Sequence, residues 1–253
     1  MTDNSLAGRT VVVTGASRGL GKAIALACAA RGARVGIGYR AREDDAHEVA
    51  DEIRARYALE SDLLPFDVRD ADAVAEAVAA CSAKTGRIDG WVNNAGLSLP
   101  DLLVSADTAQ IAQQVGTNVI GPLLCCRAVL PIMLRQRSGV IVNVSSVAAA
   151  RPTRGQSVYA ATKGAVESLT RALAVEYAKK GIRVLCVRPG PLATEMLAPT
   201  LALAGRKEVV ARVPLGRLGD PAEVADHVAF MLSDEAAWVT GSVLTADGGY
   251  LLR

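Results

Sequence analysis

Tyr159 and Lys163 stand four positions apart in the run SVYAATKG, separated by Ala160, Ala161 and Thr162. On a helix that spacing puts the phenol and the ammonium on one face, a turn apart. A tyrosine of ordinary pKa, about 10, is a poor proton shuttle near neutrality. A unit charge ~4 Å away at an effective dielectric of ~20 is worth about 4 kcal/mol, roughly three pKa units. The pair could thus serve as a proton donor, its phenol brought down toward neutral pH. The same spacing arises by accident in ordinary amphipathic helices, and the eight residues alone do not decide between the two. Ser146 is a second chemical candidate. It follows the apolar run GVIVNV (Gly139–Val144), where a strand would deliver its hydroxyl to one edge of a sheet. A turn or capping role is the alternative, for Ser146 and for Ser145 beside it.

A third group of residues is a glycine turn. In TGASRGLG, residues 14–21, a β-branched run passes into a helical stretch through Gly15, Gly19 and Gly21. Glycine permits a tight turn, lets backbone approach a pyrophosphate, and leaves helix N–H groups pointing at it. Helix-on-strand packing is the other use for such a turn; its place after a first strand favours a dinucleotide. The next strand ends at Tyr39, where an acidic residue would hold the ribose hydroxyls of NAD. Arg40 follows instead, and Arg18 lies in the glycine turn. Two guanidiniums suit a 2′-phosphate, which points to NADPH, although Glu43, Asp44 and Asp45 are close by.

Positioning these groups takes alternating elements. Thr10–Thr14, Arg34–Tyr39, Asp62–Phe66, Gly90–Asn93, Gly139–Val144, Arg183–Arg188 and Ser242–Ala246 read as strands. Helices are predicted at Leu20–Arg31, Asp44–Tyr57, Asp70–Lys84, a long stretch ending about Arg135, Val158–Lys179 and Pro221–Leu232. Near-continuous apolar strands separated by helices predict a doubly wound parallel sheet, a Rossmann fold of about seven strands covered on both faces. The expectation is a single domain over all 253 residues, with Thr194–Pro214 as a small lid. Met196, Leu197, Leu201 and Leu203 in that lid would suit an acyl chain or another lipophilic ketone, or packing against the domain.

Composition narrows the classes further. A net charge of +2 is too small to make nucleic acid or an anionic membrane the main partner. Polar and proline residues interrupt the apolar window Val115–Leu134, which reads as a buried or interface helix. The start MTDNSLAGR shows no signal-peptide pattern. Five cysteines at 28, 81, 125, 126 and 186 have no metal-ligand spacing and suit a reducing cytoplasm, with Cys125 and Cys126 packing a helix.

With these residues in this order, the chain resembles the short-chain dehydrogenase/reductase family over almost its whole length. The resemblance implies that Gly15, Ser17, Arg18, Gly19, Leu20, Gly21 and Arg40 bind NADP(H). It adds Asp67 and Val68 at the adenine, then Asn94, Ala95 and Gly96 in NNAG after the fourth strand. Pro189, Gly190 and Thr194 would hold the nicotinamide carboxamide. Asn118, Ser146, Tyr159 and Lys163 fall where the family has its catalytic tetrad. Ser146 would hold the substrate oxygen, Tyr159 would donate the proton, and Lys163 would also bind the nicotinamide ribose. The family relays protons through a water near the asparagine. Pro122 lacks the N–H that would bond the Asn118 carbonyl; it either keeps that carbonyl free for the water or only kinks the helix.

Enoyl reductases of the superfamily keep a longer tyrosine-to-lysine gap, so reduction of a carbonyl is implied here. GQSVY (155–159) and VPLGR (213–217) resemble β-ketoacyl-(acyl-carrier-protein) reductases, implying a 3-oxoacyl thioester on carrier protein or CoA. By the same resemblance Arg137 and Lys180 would dock an acidic carrier protein beside the site entrance. AAARP (148–152) departs from the glycine-rich pattern of those enzymes. That leaves a dehydrogenase of small alcohols, sugars or secondary-metabolite ketones as an alternative, and a non-catalytic cofactor-binding protein as another. A homotetramer or homodimer is expected from the family.

Overall fold

The sheet is built from seven short strands in the order β3-β2-β1-β4-β5-β6-β7, every neighbouring pair parallel. The computed structural model describes residues 4–253, the side chain of Leu203 excepted. The strands are β1 Thr10–Val13, β2 Arg34–Tyr39, β3 Ser61–Pro65, β4 Gly90–Asn93, β5 Gly139–Val144, β6 Ile182–Pro189 and β7 Val243–Ala246. The helices are α1 Gly19–Ala30, α2 Glu43–Tyr57, α3 Ala71–Thr85, α4 Thr108–Val115, α5 Gly121–Gln136, α6 Ser157–Tyr177, α7 Ala198–Ala204, α8 Arg206–Ala211 and α9 Pro221–Leu232. This is the doubly wound Rossmann sheet that the alternating pattern predicts.

Alternation along β1 sorts the core into two layers. Val11 and Val13 face Ile24 and Cys28 of α1, Val49 and Ile53 of α2, and Val228 and Leu232 of α9. Val12 faces the other way, with Trp91, toward Val74 and Cys81 of α3, Val129 and Met133 of α5, and Leu173 of α6. Each face thus buries a continuous apolar layer, the reason the strands carry few polar residues. The five thiols all lie inside these layers or in β6, unpaired and buried. Burial pushes Cys28, Cys126 and Cys186 up to about 12 and Cys81 to about 11, and raises Cys125 as well.

Polar groups pin the layers in register. Asn93 and Asn143 sit opposite each other on β4 and β5. Asn93 Nδ2 donates to Asn143 Oδ1 at 2.8 Å, and Asn143 Nδ2 to Thr170 Oγ1 at 2.9 Å, tying α6 to the sheet. Each buried amide there has found a partner, as it must in a low-dielectric layer.

The long helical stretch expected up to Arg135 is broken. Between α4 and α5 lies a π-turn, Gly116–Ile120, in which the Gly121 N–H reaches back to the Gly116 carbonyl. Pro122, which has no N–H for the Asn118 carbonyl, follows directly on this wider turn as the second residue of α5. By composition the run Thr108–Gln136 is long and apolar enough to cross a membrane, but 56% of its most apolar window is packed inside the protein.

Candidate active site

The carboxyl ends of β1, β2 and β4–β6 open into one cavity of ≈ 1240 Å³. The crevice falls where the chain reverses its winding, between β1 and β4, the usual ligand position in such sheets. At its cofactor end Gly15 and Gly19 adopt φ of 64° and 55°. A Cβ on Gly21 would collide with the Gly15 carbonyl, so the turn holds its shape only with hydrogen there. Arg18, the N-cap of α1, contributes no capping hydrogen bond, which leaves the first N–H groups of that helix facing the cavity. A pyrophosphate fits such a cradle.

Thr14 sets the neighbouring wall. Its Oγ1 accepts from the N–H groups of Asn94 at 3.0 Å and Ala95 at 2.9 Å, and the Asn94 amide donates back to the Thr14 carbonyl. The NNAG element is thereby fastened to the glycine turn. Asp67 accepts from Arg69 and lies 3.7 Å from Arg40, which holds its carboxyl below the ordinary range. Arg42 also lines this end, an arginine the sequence did not single out. The segment after β6 crosses above, and Glu195 joins it to the floor through Arg18 and, at 3.7 Å, Arg42.

Around the carbonyl end, Ser146, Tyr159 and Lys163 share the cavity wall with Gly96. Ser146 also caps the one-turn helix Val147–Ala149, accepting from the Ala148 N–H at 3.2 Å, so the capping reading of that serine holds while its place on the cavity wall leaves it available to a ligand. Ser145 points the other way: its hydroxyl donates to Glu167 Oε1 at 2.8 Å. Glu167 in turn takes a two-pronged contact from Arg188 at 2.8 and 2.7 Å, a pair the sequence did not reveal.

The phenol and the ammonium correct the expected electrostatics. Lys163 Nζ donates to the Val144 carbonyl at 2.8 Å and lies 5.7 Å from the centre of the Tyr159 ring. Burial raises the Tyr159 pKa, while a hydrogen bond with Ser146 pulls the other way. Burial also lowers Lys163 to about 8, the nearby Cys186 countering it. The expected drop of the phenol toward neutrality is absent from the protein alone. Burial is the larger influence on both groups.

Asn118 is placed behind the wall, 1% exposed. Its Oδ1 accepts from the Leu97 N–H at 2.9 Å, and its Nδ2 donates to the Leu97 carbonyl at 2.9 Å and to Thr162 Oγ1 at 3.1 Å. Thr162 donates to the Tyr159 carbonyl at 2.7 Å. Asn118 therefore braces α6 at the tyrosine through Thr162, a residue to which the sequence assigned no role. Its side-chain oxygen also comes within 3.3 Å of where a Cβ on Gly96 would stand, and Lys163 Nζ within 3.5 Å.

All the other residues that the resemblance assigns to the cofactor line the cavity: Gly15 and Ser17 to Gly21 with Arg40, Asp67 and Val68, then Asn94 to Gly96, Pro189, Gly190 and Thr194. Met196 and Leu197 line it too, whereas Leu201 does not and the Leu203 side chain lies outside the described residues. Arg137 and Lys180 need correction. They do come together, since the Arg137 carbonyl fills the space beside Gly181. But Arg137 precedes β5 and Lys180 precedes β6, so both sit at the amino edge of the sheet. Ser146 follows β5 at the opposite edge, ~20 Å away for a six-residue strand rising ~3.3 Å per residue. Neither basic residue borders this cavity.

The fold and the cavity together define a nicotinamide-type oxidoreductase of the short-chain class. The chain belongs to the short-chain dehydrogenase/reductase family: a family model described as "Enoyl-(Acyl carrier protein) reductase" matches residues 15–251. It is 37% identical to the 3-oxoacyl-(acyl-carrier-protein) reductase FabG of Staphylococcus epidermidis, over 95% of this chain and 98% of that one. A 3-oxoacyl-(acyl-carrier-protein) reductase from Synechocystis is also 37% identical, over 98% of this chain and 99% of its own. Among solved structures, a gluconate 5-dehydrogenase from Burkholderia cenocepacia, in complex with NADP and tartrate, superimposes with a TM-score of 0.93. It is 30% identical, and the match covers 100% of this chain and 99% of that one.

Proposed function

We propose that this enzyme uses NADPH to reduce a 3-oxoacyl thioester, on a carrier protein or CoA, to the 3-hydroxy compound. One observation carries the proposal: a single cavity runs from the glycine turn and its arginines to Ser146, Tyr159 and Lys163. Arg18, Arg40 and Arg42 offer three guanidiniums where a 2′-phosphate would lie, which favours NADPH over NADH. The curated relatives named above are ketone reducers, and Tyr159 and Lys163 keep the short spacing that goes with them, despite the wording of the family description.

The reduced nicotinamide supplies a hydride to the carbonyl carbon when bound. Ser146 holds the carbonyl oxygen, and Tyr159 gives that oxygen its proton. Lys163, at a pKa of about 8, exchanges protons close to neutral pH and stabilises the tyrosinate left behind. Asn118 acts as a positioning residue through Thr162. The segment 194–214 is the lid, and Glu195 fastens its first turn. The enzyme works in the cytoplasm as a dimer or tetramer. Exposed Trp238, Leu244 and Leu252 near the last strand, and Leu123 on α5, are the faces a second copy would cover.

Mixing the protein with NADPH or NADH and 3-oxobutyryl-CoA, and following loss of reduced-nicotinamide absorbance, tests this reading. Turnover should be faster with NADPH and should disappear in Tyr159→Phe with NADPH binding retained. No turnover across a panel of ketones would overturn it, and activity surviving in Tyr159→Phe would overturn the mechanism.

A further inference from the structure

Three more arginines line the same cavity, beyond the catalytic residues: Arg151, Arg154 and Arg212. Arg151 and Arg154 share the loop before α6, and a small apolar cluster of Val147, Val213 and Tyr250 ties that region to the one that carries Arg212. Arg151 is fixed from two sides. Its N–H bonds the Val147 carbonyl at 2.8 Å, and its guanidinium donates to the Tyr250 carbonyl at 3.2 Å. Arg154 sits in the turn before α6, where the Gly155 carbonyl accepts from the Asp101 N–H at 3.0 Å. Arg212 ends α8, beside Val213 of the cluster.

Among the described residues none of the three has a carboxylate partner. Other arginines of the chain are matched: Arg34 with Asp62, Arg87 with Asp89, Arg188 with Glu167, Arg217 with Glu223. Of the acids on this wall, Asp101 already accepts from the Leu102 N–H and the Ser105 hydroxyl, and Glu195 is taken by Arg18 and Arg42. Glu208 also lines the cavity and forms no ion pair with any of the three. Unmatched guanidiniums on a concave wall focus a positive potential into it. The surplus sits beyond Ser146, away from the glycine turn, so it is not needed for the cofactor's phosphates.

We propose that Arg151, Arg154 and Arg212 form an anion subsite, so that the ketone reduced here carries a carboxylate or phosphate away from its reacting carbonyl. The proposal rests on the ketone-reductase reading above. It adds a charged wall beside Met196 and Leu197 of the expected lipophilic lid, and it gives the AAARP departure a chemical sense. A phosphopantetheine arm supplies such a group as phosphate, and a free oxo acid supplies it as carboxylate.

Matched substrate pairs decide. With NADPH, kcat/KM is measured for 3-oxobutyryl-pantetheine against its 4′-phosphate, and for acetoacetate against methyl acetoacetate. The anionic member of one pair should lead by about tenfold through KM, as one charged hydrogen-bonding contact gives. A lead confined to the first pair assigns phosphate, and one confined to the second assigns carboxylate. In Arg151→Gln, and separately in Arg212→Gln, the ratio within that pair should fall toward one. Equal members in both pairs, or variants that lower both members alike, would overturn the subsite. Calorimetric titration of the NADP complex with 4′-phosphopantetheine and with 3-hydroxybutyrate reads the subsite without turnover. If no ketone is reduced yet one anion binds and loses affinity in both variants, the subsite stands and the reductase reading fails. If neither anion binds, the subsite is refuted.

Discussion

Replacing Lys163 by methionine should make the cofactor-free protein more stable at pH 7, although it removes a residue that the proposed mechanism requires. Lys163 is 5% exposed, and burial lowers its pKa from 10.5 to about 8. A depressed lysine pKa means that the native state resists holding the charge. Below pH 8 both states are protonated, and the native state bears the full penalty, about 3 kcal/mol for that drop. Between pH 8 and 10.5 the native state sheds its proton while the unfolded chain keeps it, so wild-type stability rises relative to the variant. At pH 10 only about 1 kcal/mol of the penalty is left. Methionine of similar length carries no charge, but it leaves the Val144 carbonyl without the 2.8 Å bond, which costs about 1–3 kcal/mol at any pH. The net gain at pH 7 is therefore about 1 kcal/mol. The sharper quantity is its change: the stability difference between variant and wild type should shrink by about 2 kcal/mol from pH 7 to pH 10. Urea unfolding of both proteins, at one protein concentration and at both pH values, measures it. A difference that stays constant or grows with pH would refute the assignment of a buried, desolvated ammonium.

Three further outcomes follow from contacts described above. Glu167→Gln should cost about 2 kcal/mol by urea unfolding, because it leaves the partly buried Arg188 without its charged partner. Thr162→Val should cost about 1 kcal/mol and lower kcat while KM for NADPH holds, since it cuts the Asn118 brace on α6. Glu195→Gln should tighten NADPH binding by about twofold to fivefold in a fluorescence titration and leave NADH nearly unchanged, as an exposed ion pair competing for Arg18 and Arg42 is removed.

Most of the sheet could be read directly because each strand is a short apolar run and each helix begins or ends at a punctuating residue. Arg34–Tyr39, Gly90–Asn93 and Gly139–Val144 coincide with the structure, and the other strands differ by one residue at one or both ends. The glycine turn at the cavity was legible for a similar reason: its glycines lie together in sequence. What escaped depends on residues far apart in the chain. Thr162 gains a purpose only when Asn118 comes to face it across the fold, and Glu167 only when Arg188 does. The π-turn lies just before Pro122, where the sequence left a free carbonyl and a simple kink equally open. The misplacement of Arg137 and Lys180 was avoidable. Both precede their strands, and in a parallel sheet that alone puts them at the edge opposite Ser146.

The five thiols have a use that has nothing to do with catalysis. With pKa values raised by burial, they hold almost no thiolate near neutral pH, so an alkylating reagent meets them only when the protein opens. Cys28 lies on one side of the sheet, Cys81, Cys125 and Cys126 on the other, and Cys186 within it. The rate at which each is labelled would therefore clock the detachment of α1, of α3 and α5, and of the central strands. This chain carries its own set of unfolding probes, already distributed by layer and needing no engineered cysteine.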